Sequence, residues 1–390
     1  MRVGFVVGQF PMLSETFVIG QMAGLLRRGF KVDVVCNGIS DYNFADRQQV
    51  PLATLLARTR DWWGAAARFR PTIGRLPPKL YDKASTALDM SSVARLNECD
   101  VIVAHFGHNG ARAARLKKWK RLKPPIVTIF HGYDVGVPLK ERGLGRYDDL
   151  FEHGALNLTV NDYFRRVLME AGAPEAKVAV HHMGIDLKKI SYEWKSWRGA
   201  TLQLISVCRL AEKKGVEFAL RALGRLRIDA PELDWRYTII GDGPLRPQLE
   251  TLAAELGIAG QVFFLGSLPH EEVKQWLRRS HAFVLPSVTA TNGDVEGIPV
   301  ALMEAMAAGL TVVSSTHSGI PELIEDEKTG FLAAEKDVET LAGRLRFIAE
   351  RPDECEHIAR EARRKVEAEF DMQALDDDFA GILSRFARAG

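Results

Sequence analysis

The sequence predicts an α/β protein made of two doubly wound domains, each built around a parallel sheet. Three observations predict it. The 390 residues exceed what one ordinary hydrophobic core needs, so two domains of about 150 to 200 residues are expected. Strand, helix and strand patterns follow one another from the first residues, and a second such series begins near residue 200. The composition, with 46% hydrophobic and 26% charged residues, is that of a compact globular protein.

The opening residues predict the first strand, loop and helix. Arg2 to Val7 is apolar and strand-like, and Gly8 to Leu13 is expected to be a loop. Ser14 is suited to cap a helix that Gly29 ends. The apolar face of this helix consists of Val18, Met22, Leu25 and Leu26. Because Gln9 and Pro11 interrupt the apolar opening, a strand explains it better than a secretion signal.

Ten further apolar runs predict the rest of the two sheets. In the first domain they are Lys31 to Cys36, Val101 to Ala104, Ile126 to Phe130, Leu156 to Val160 and Val178 to His181. In the second they are Leu202 to Val207, Tyr237 to Ile240, Val262 to Leu265, Ala282 to Leu285 and Thr311 to Ser314. After Lys31 to Cys36 these runs are separated by segments long enough for crossover helices. We expect a first domain at 1–190, a second at 191–371, and a final amphipathic helix at 372–390 that returns to the first domain.

Composition also excludes several classes of protein. No stretch reaches the about eighteen apolar residues that a membrane-spanning helix requires. The four cysteines are widely separated, without the paired spacing of a zinc or redox site, and fit buried thiols in a reducing cytoplasm. A cytoplasmic protein is therefore expected.

The segment Glu296-Gly-Ile-Pro-Val-Ala-Leu-Met-Glu304 is the strongest candidate for a functional site. Pro299 suits the first position of a helix and Gly309 suits its end, so Glu296 precedes the helix and Glu304 lies on it. A diphosphate on the free amides at the helix start would leave Glu304 near an attached ribose and Glu296 near the sugar beyond. The alternative is a buried helix whose polar residues only cap and solvate it.

Other candidates follow predicted strands of the second domain, where open α/β sheets bind ligands. Arg209 and Lys214 offer two cations for phosphate oxygens, or form an ordinary solvated turn. Gly241 and Gly243 permit close approach of the backbone, to a ligand or for steric reasons alone. Ser287 opens the loop that leads to Glu296. The turn from His317 to Glu322 follows the last predicted strand.

These motifs resemble the family 4 glycosyltransferases of the GT-B fold, and the resemblance extends along essentially the whole chain. Phe10-Pro-Met-Leu-Ser-Glu-Thr-Phe17 and the segment from Ser287 to Pro299 are similar to exopolysaccharide glycosyltransferases of the colanic-acid and amylovoran type. The resemblance implies two Rossmann-like domains that face each other across a cleft, the first binding acceptor and the second donor. It also implies retaining, metal-independent transfer from a UDP- or GDP-sugar, without a cofactor, in the synthesis of exopolysaccharide, capsule or lipopolysaccharide.

The resemblance also implies roles for particular residues. Arg209 and Lys214 would hold the diphosphate and Glu304 the ribose hydroxyls. The donor sugar would meet Glu296, the residues that follow it at Gly297, Ile298 and Pro299, and His131 of the first domain. Many members carry two glycines in the loop after the first strand, whereas this chain has Gly8-Gln-Phe-Pro11, so a phosphate contact at Gly8 is less strongly implied.

Two other functions stay open on the same residues. A nucleotide-sugar epimerase can share the GT-B fold, because a fold does not determine a reaction. A catalytically silent sugar-binding scaffold could also retain it. The chemically competent residues at each matched donor position favour transfer over both.

Charge distribution suggests a further partner. Residues 1–190 carry 28 Lys and Arg against 18 Asp and Glu, a net +10, and the remainder carries 24 against 32, a net −8. A cationic run with Trp119 in it would suit anionic lipid at the inner membrane, near a lipid-linked saccharide acceptor. It comprises Arg112, Arg115, Lys117, Lys118, Lys120, Arg121 and Lys123.

Two alternatives belong with this charge pattern. The cationic run could be an ordinary solvated surface, and nucleic acid would explain the same charge, although no stacking platform is recognisable. An upstream stretch with Trp62, Trp63, Arg68, Phe69 and Arg70 also has interfacial character. The acidic run Asp376 to Asp378 is expected to be a solvated helix face rather than a metal site.

Overall fold

The computed structural model describes residues 1–12, 15–40, 52–143 and 145–387. They form two units, one of residues 1–181 together with the segment from Gln373 onward, and one of residues 182–372. Each unit contains a single parallel sheet with helices around it, so the α/β class expected from the sequence is confirmed.

The sheet of the first unit has seven strands. They are β1 (Arg2–Phe10), β2 (Lys31–Ile39), β3 (Thr59–Asp61), β4 (Val101–His105), β5 (Ile126–Phe130), β6 (Leu156–Thr159) and β7 (Val178–Val180). Their spatial order is β3-β2-β1-β4-β5-β6-β7, which reverses direction between β1 and β4. The expected loop at Gly8 is wrong, because β1 continues to Phe10, which is opposite Ile39 of β2 in the parallel register and whose ring is buried.

Eight helices precede the second unit in the described residues. They are α1 (Thr16–Arg27), α2 (Leu52–Ala57), α3 (Arg70–Ile73), α4 (Pro78–Leu96), α5 (Gly107–Lys118), α6 (Tyr133–Arg142), α7 (Asp148–His153) and α8 (Asp162–Glu170). The expected cap at Ser14 lies outside the described residues. Gly29 follows α1 with a positive φ of 80°, as its expected place at the helix end requires.

The second unit repeats the same topology with six strands. They are β8 (Leu202–Val207), β9 (Trp235–Ile240), β10 (Val262–Gly266), β11 (Ala282–Leu285), β12 (Thr311–Ser315) and β13 (Phe331–Ala333). The order is β10-β9-β8-β11-β12-β13, so the direction reverses between β8 and β11. The sequence pattern did not indicate β13, which is only three residues long.

Helices and apolar side chains cover both faces of this second sheet. The helices are α9 (Val216–Asp229), α10 (Arg246–Glu255), α11 (His270–Arg279), α12 (Val300–Ala308), α13 (Ile320–Leu323), α14 (Val338–Glu350) and α15 (Pro352–Glu369). Leu204 packs into one hydrophobic cluster and its neighbour Ile205 into the other, because successive strand side chains point to opposite faces. A sheet buried on both faces is typical of parallel α/β folds.

The last helix, α16 (Met372–Ala387), packs in the first unit, where its acidic run is partly buried. Arg27 and Arg28 reach the Asp376 carboxylate at 3.2 and 3.3 Å, and Arg28 also reaches Asp377 at 2.5 Å. The expected solvated face is therefore wrong for Asp376, which packs against Gly24 of α1. Within the described ranges no helix combines the length and apolar character needed to cross a membrane.

Candidate functional site

The reversal between β8 and β11 places three loops of the second unit at one edge of its sheet. These loops follow β8, β11 and β12 and lie at the carboxyl ends of parallel strands, where doubly wound sheets bind ligands. Arg209 and Lys214 lie in the first loop, Ser287 and Glu296 in the second, and His317 in the third. The strand order thus brings together residues that are about a hundred positions apart in the chain.

A buried ion pair joins the first two loops. Lys214 Nζ donates to Glu296 Oε2 at 2.9 Å, and only 17% and 8% of the two side chains are exposed. Burial opposes the charge of Glu296, but Lys214 and Lys213 outweigh it, so the pKa of Glu296 is lowered. Burial likewise opposes the charge of Lys214, and Glu296 raises its pKa. Both groups are therefore ionised at neutral pH.

A second cation and a second carboxylate extend this pair. Lys213 Nζ lies 3.1 Å from Asp294 and 3.5 Å from Glu296 Oε1. Glu296 Oε1 makes no hydrogen bond to any described residue. Lys213 and Asp294 were not among the predicted site residues, although the sequence pattern Lys-Lys opposite Asp-x-Glu contained the signal.

Behind Glu296, a buried histidine links the second loop to β13. The Glu296 amide donates to His317 Nε2 at 3.0 Å, so the proton of the imidazole is on Nδ1. That proton is donated to Glu335 Oε1, 2.5 Å away. Glu335 follows β13 and also accepts the Thr289 amide at 2.9 Å. These contacts fix the backbone on which Glu296 sits, and no short sequence motif marks Glu335.

The start of α12 presents backbone donors beside this pair. The amides of Gly297 and Ile298 have no acceptor among the described residues. Pro299 caps the helix with extended backbone, and α12 begins at Val300, so the expected first helical position of Pro299 is wrong by one residue. Gly309 ends the helix with φ 97°, as expected. The Ser287 hydroxyl is fully buried and has no partner in the described chain.

Glu304 lies on α12 in a different environment from Glu296. Burial raises the pKa of Glu304 to about 7, against a smaller opposing effect of Lys274. A cavity beside it is lined by residues of α11, α12 and the segment that precedes β8, among them Lys189, Ser191, Lys274 and Ala308. A carboxyl group in this environment can accept hydrogen bonds from hydroxyl groups of a ligand once it is ionised.

Arg209, Gly241 and Gly243 have distinct positions around the loop after β8. The Arg209 side chain is exposed, and no acceptor for it occurs among the described residues. A Cβ on Gly241 would lie 1.9 Å from the Cys208 carbonyl oxygen, and one on Gly243 would lie 2.4 Å from that of Leu210. The close approach that these glycines permit is thus made to the Cys208–Leu210 backbone. A contact with donor stays a prediction.

The predicted residues of the first unit lie at the corresponding edge of its own sheet. Gly8 is within β1, and His131 follows β5. Asp134 accepts the amides of Gly107, His131 and Gly132 at 2.7, 3.0 and 3.0 Å, which fixes the His131 turn. His105, at the end of β4, contacts the His131 ring, and the sequence motif did not indicate it.

The cations of the predicted lipid-binding run differ in exposure and in hydrogen bonding. Lys117 donates to the carbonyl oxygens of Lys123 and Pro124, and Lys118 pairs with Asp149 at 2.8 Å. Five residues of this segment are exposed: Lys118, Trp119, Lys120, Arg121 and Lys123.

Three other residues expected at an interface are instead largely or fully removed from solvent. Arg112 donates to Asp89 at 2.7 Å and packs over the ring of Trp62. Trp62 and Trp63 are 1% and 3% exposed, so their expected interfacial role is wrong. Their indoles fill the core beneath α4 and α5, a role that an aromatic pair in a sequence does not exclude.

Comparison with known proteins shows the family and the fold of this chain. The profile of the group 1 glycosyl transferases matches residues 195–365, and that of glycosyltransferase family 4 matches residues 14–189. The chain is 37% identical to the putative colanic acid biosynthesis glycosyltransferase WcaL of Escherichia coli, covering 98% of this chain and 99% of WcaL. It is 34% identical to the amylovoran biosynthesis glycosyltransferase AmsK of Erwinia amylovora, covering 99% and 100%.

A solved structure shares the fold at lower identity. HepE of Anabaena, crystallised with UDP, superimposes with a TM-score of 0.75 over 99% of this chain and 100% of its own, at 19% identity.

Proposed function

Because the chain belongs to the group 1 and family 4 glycosyltransferases, we propose that it transfers a sugar from a nucleoside diphosphate sugar to a saccharide acceptor with retention of configuration. The observation that carries this proposal is the buried Lys214–Glu296 pair next to the free amides of Gly297 and Ile298. Cations and amides suit a diphosphate, and a carboxylate suits sugar hydroxyls.

Each group has a role in this reaction. Arg209 and Lys214 bind the diphosphate and stabilise the charge that develops on it as the glycosidic bond to phosphate breaks. Glu296 and the amides after it orient the donor sugar, together with His131 of the first unit. Glu304 accepts the ribose hydroxyls. Since cations and amides offset the developing charge, the reaction proceeds without a metal ion.

The pathway proposed for this chain is exopolysaccharide, capsule or lipopolysaccharide synthesis. WcaL and AmsK, which it resembles over its full length, are named for colanic acid and amylovoran. We propose a UDP- or GDP-sugar as donor, and HepE was crystallised with UDP. A lipid-linked saccharide is the proposed acceptor.

Incubation with a panel of donors tests the reaction. Thermal-shift screening with UDP, GDP and their sugars first identifies the donor that raises Tm. That donor is then incubated with and without saccharide acceptor in excess chelator, and the products are analysed by mass spectrometry and NMR. The proposal is supported if the sugar is transferred and the new glycosidic bond has the same anomeric configuration, α or β, as the donor.

Other outcomes of this experiment favour other functions. Conversion of the free donor without acceptor would identify an epimerase. Binding of the donor with neither transfer nor conversion would identify a scaffold. Loss of transfer on chelation with rescue by Mg²⁺ or Mn²⁺ would overturn metal independence. An inverted configuration in the product would overturn retention.

The proposed location is the cytoplasm, with peripheral attachment to the inner membrane. Lys118, Lys120 and Arg121 are exposed and lie next to the exposed Trp119 in the sequence, and each cation can contribute roughly 1 kcal/mol near an anionic surface. Flotation with phosphatidylcholine vesicles, with and without phosphatidylglycerol, at low salt tests this. We expect binding to the anionic vesicles that Lys120→Glu with Arg121→Glu weakens. Equal binding to both kinds of vesicle, or no binding to either, would contradict the proposed membrane attachment.

A further inference from the structure

Two histidines face each other at the ends of adjacent strands in the first unit. His105 is the last residue of β4 and is fully buried, and His131 follows β5. His105 Nδ1 lies 3.0 Å from His131 Nε2, with an angle of 12° between the ring planes. One nitrogen of His131 is thus already engaged by the protein.

Aromatic side chains hold both rings in place. The Phe5 ring stacks on His105 with centroids 5.8 Å apart and an angle of 17°. Phe17 and Phe106 contact His131, with centroids 4.7 and 4.8 Å away. The side chain of Asn109 donates to the His105 carbonyl oxygen at 2.8 Å, which fixes the backbone at the end of β4. Neither ring is free to turn, so the contact between them is a fixed feature of the site.

Neither imidazole carries a charge at neutral pH. Burial lowers the pKa of His105 well below its ordinary value, and His131 lowers it further. Burial also lowers the pKa of His131 to about 3. A neutral imidazole has one N–H donor and one nitrogen acceptor. The bond between the two rings therefore requires a donor nitrogen on one and an acceptor nitrogen on the other.

The surroundings of His105 decide which ring donates. His105 Nε2 is buried and has no hydrogen-bond partner in the described part of the chain. A buried N–H without an acceptor is rarer than a buried acceptor without a donor. The proton of His105 is therefore on Nδ1, from which it is donated to His131 Nε2.

The geometry points to His105 as a positioning residue that holds His131 in the tautomer with its proton on Nδ1, as a neutral donor to an oxygen of the substrate. Since Nε2 of His131 accepts from His105, its own proton is on Nδ1, and that nitrogen has no partner among the described residues. This inference rests on the proposed function, in which His131 contacts the donor sugar. It adds the residue that sets which hydrogen bond His131 can make.

NMR of the protein labelled with ¹⁵N-histidine tests the tautomer without any substrate. Long-range ¹H–¹⁵N correlations distinguish protonated from unprotonated ring nitrogens, and His131→Asn assigns the His131 signals by their loss. We expect the Nδ1–H tautomer of His131 in the unmodified protein. We expect the Nε2–H tautomer, or a mixture, in His105→Leu. A wild-type protein with His131 protonated on Nε2 would overturn the inference, even if sugar transfer is observed.

Kinetics separate positioning from a purely structural role. His105→Leu is expected to lower kcat about tenfold, the effect of one lost hydrogen bond in the transition state, while KM for the donor changes less. His105→Asn retains an N–H near the position of Nδ1 and is expected to recover most of kcat. Equal loss in both variants, with the His131 tautomer unchanged, would contradict positioning. If His105→Leu does not fold, the wild-type spectrum and the kinetics of His105→Asn still show whether His105 sets the tautomer of His131.

Discussion

Glu304 shows how the same side chain acquires a different chemistry from its surroundings. Glu296 is also buried, but Lys214 and Lys213 lower its pKa, whereas burial dominates at Glu304 and raises its pKa to about 7. Without ligand, Glu304 is therefore partly protonated at neutral pH. A ligand that supplies hydroxyl donors would favour its ionised form.

The raised pKa of Glu304 should make the free energy of unfolding depend on pH. A carboxyl group whose pKa is higher in the folded than in the unfolded protein stabilises the fold below about pH 4.5, and this contribution is lost as pH rises through about 7. The loss amounts to at most about 3 kcal/mol. Glu304→Gln should therefore gain stability relative to wild type between about pH 5 and 8, measured by urea unfolding. The exposed Glu339→Gln provides the control, and a pH-independent difference for Glu304→Gln would contradict the prediction.

Arg209 and Glu304 should affect different kinetic constants. The Arg209 side chain has no partner among the described residues and is proposed to stabilise the leaving diphosphate, so Arg209→Ala should lower kcat about tenfold to a hundredfold. Glu304→Ala removes contacts with the ribose and should mainly raise KM and the Kd for the nucleoside diphosphate. Steady-state kinetics and calorimetry measure both. Arg225→Ala, on the exposed face of α9, is the matched control. Near-normal constants in both site variants would overturn the assignment.

Sequence patterns identified the residues of the site that belong to short motifs. Lys214 and Glu296 were predicted, and the ion pair joins them. His317 was singled out only as part of a turn, and Glu335 was not indicated at all. Their roles depend on β12 and β13 lying side by side, a long-range contact that no local spacing encodes. His105 was missed for the same reason, since only the pairing of β4 with β5 brings it to His131.

The loop from Pro286 to Pro299 is held by two similar clamps. Thr289 donates its amide and hydroxyl to Glu335, and Thr291 donates its amide and hydroxyl to Glu212. The Val288 amide also donates to the Lys213 carbonyl oxygen at 2.9 Å. These contacts explain why two threonines flank Ala290 in this segment. They fix the loop before any ligand binds.

Removal of one clamp should weaken donor binding without loss of the fold. Glu335→Ala leaves the Thr289 amide and the Nδ1 proton of His317 without their acceptor, and so loosens the backbone of Glu296. We expect the Kd for the nucleoside diphosphate to rise about fivefold to thirtyfold, equivalent to about 1 to 2 kcal/mol. Glu335→Gln should lose less. An unchanged Kd in Glu335→Ala would show that the loop does not depend on this contact.

Gly215 requires the backbone that only glycine adopts easily. It joins the turn of Lys213 and Lys214 to α9 with φ 64°, and a Cβ there would lie 1.8 Å from the Pro286 carbonyl oxygen. The turn can thus pack directly on the loop after β11, which is how Lys214 reaches Glu296.

Sequence patterns predicted most strands to within a few residues. They failed at Phe10 and Pro299, where burial of a ring and the cap of a helix set the boundary.

The two units divide the chain into parts of opposite charge. Residues 1–181 with 373–390 contain 28 Lys and Arg against 20 Asp and Glu, a net +8. Residues 182–372 contain 24 against 30, a net −6. The unit that holds the candidate diphosphate site is therefore acidic, and local cations rather than the overall field must provide its attraction for phosphate.

Hydrogen exchange across the whole chain tests which unit contacts the diphosphate and which contacts the sugar of the donor. The nucleoside diphosphate alone should protect amides in 208–215, 286–299 and 316–319, because its proposed ligands all lie in the second unit. The intact donor sugar should add protection at 131–136, since His131 is proposed to contact the sugar. Mass spectrometry of peptides measures both. Protection by the diphosphate confined to the first unit would contradict the proposed donor site.

The ion pairs of Lys213 and Lys214 with Asp294 and Glu296 have a consequence for the end of the catalytic cycle. Two ammonium groups that are already matched by two carboxylates add no net charge to the candidate site. The nucleoside diphosphate product can then depart while the carboxylates resume their contacts, so that neither lysine is left without a counter-ion. Internal counter-ions of this kind favour rapid exchange of product for fresh donor over very tight retention.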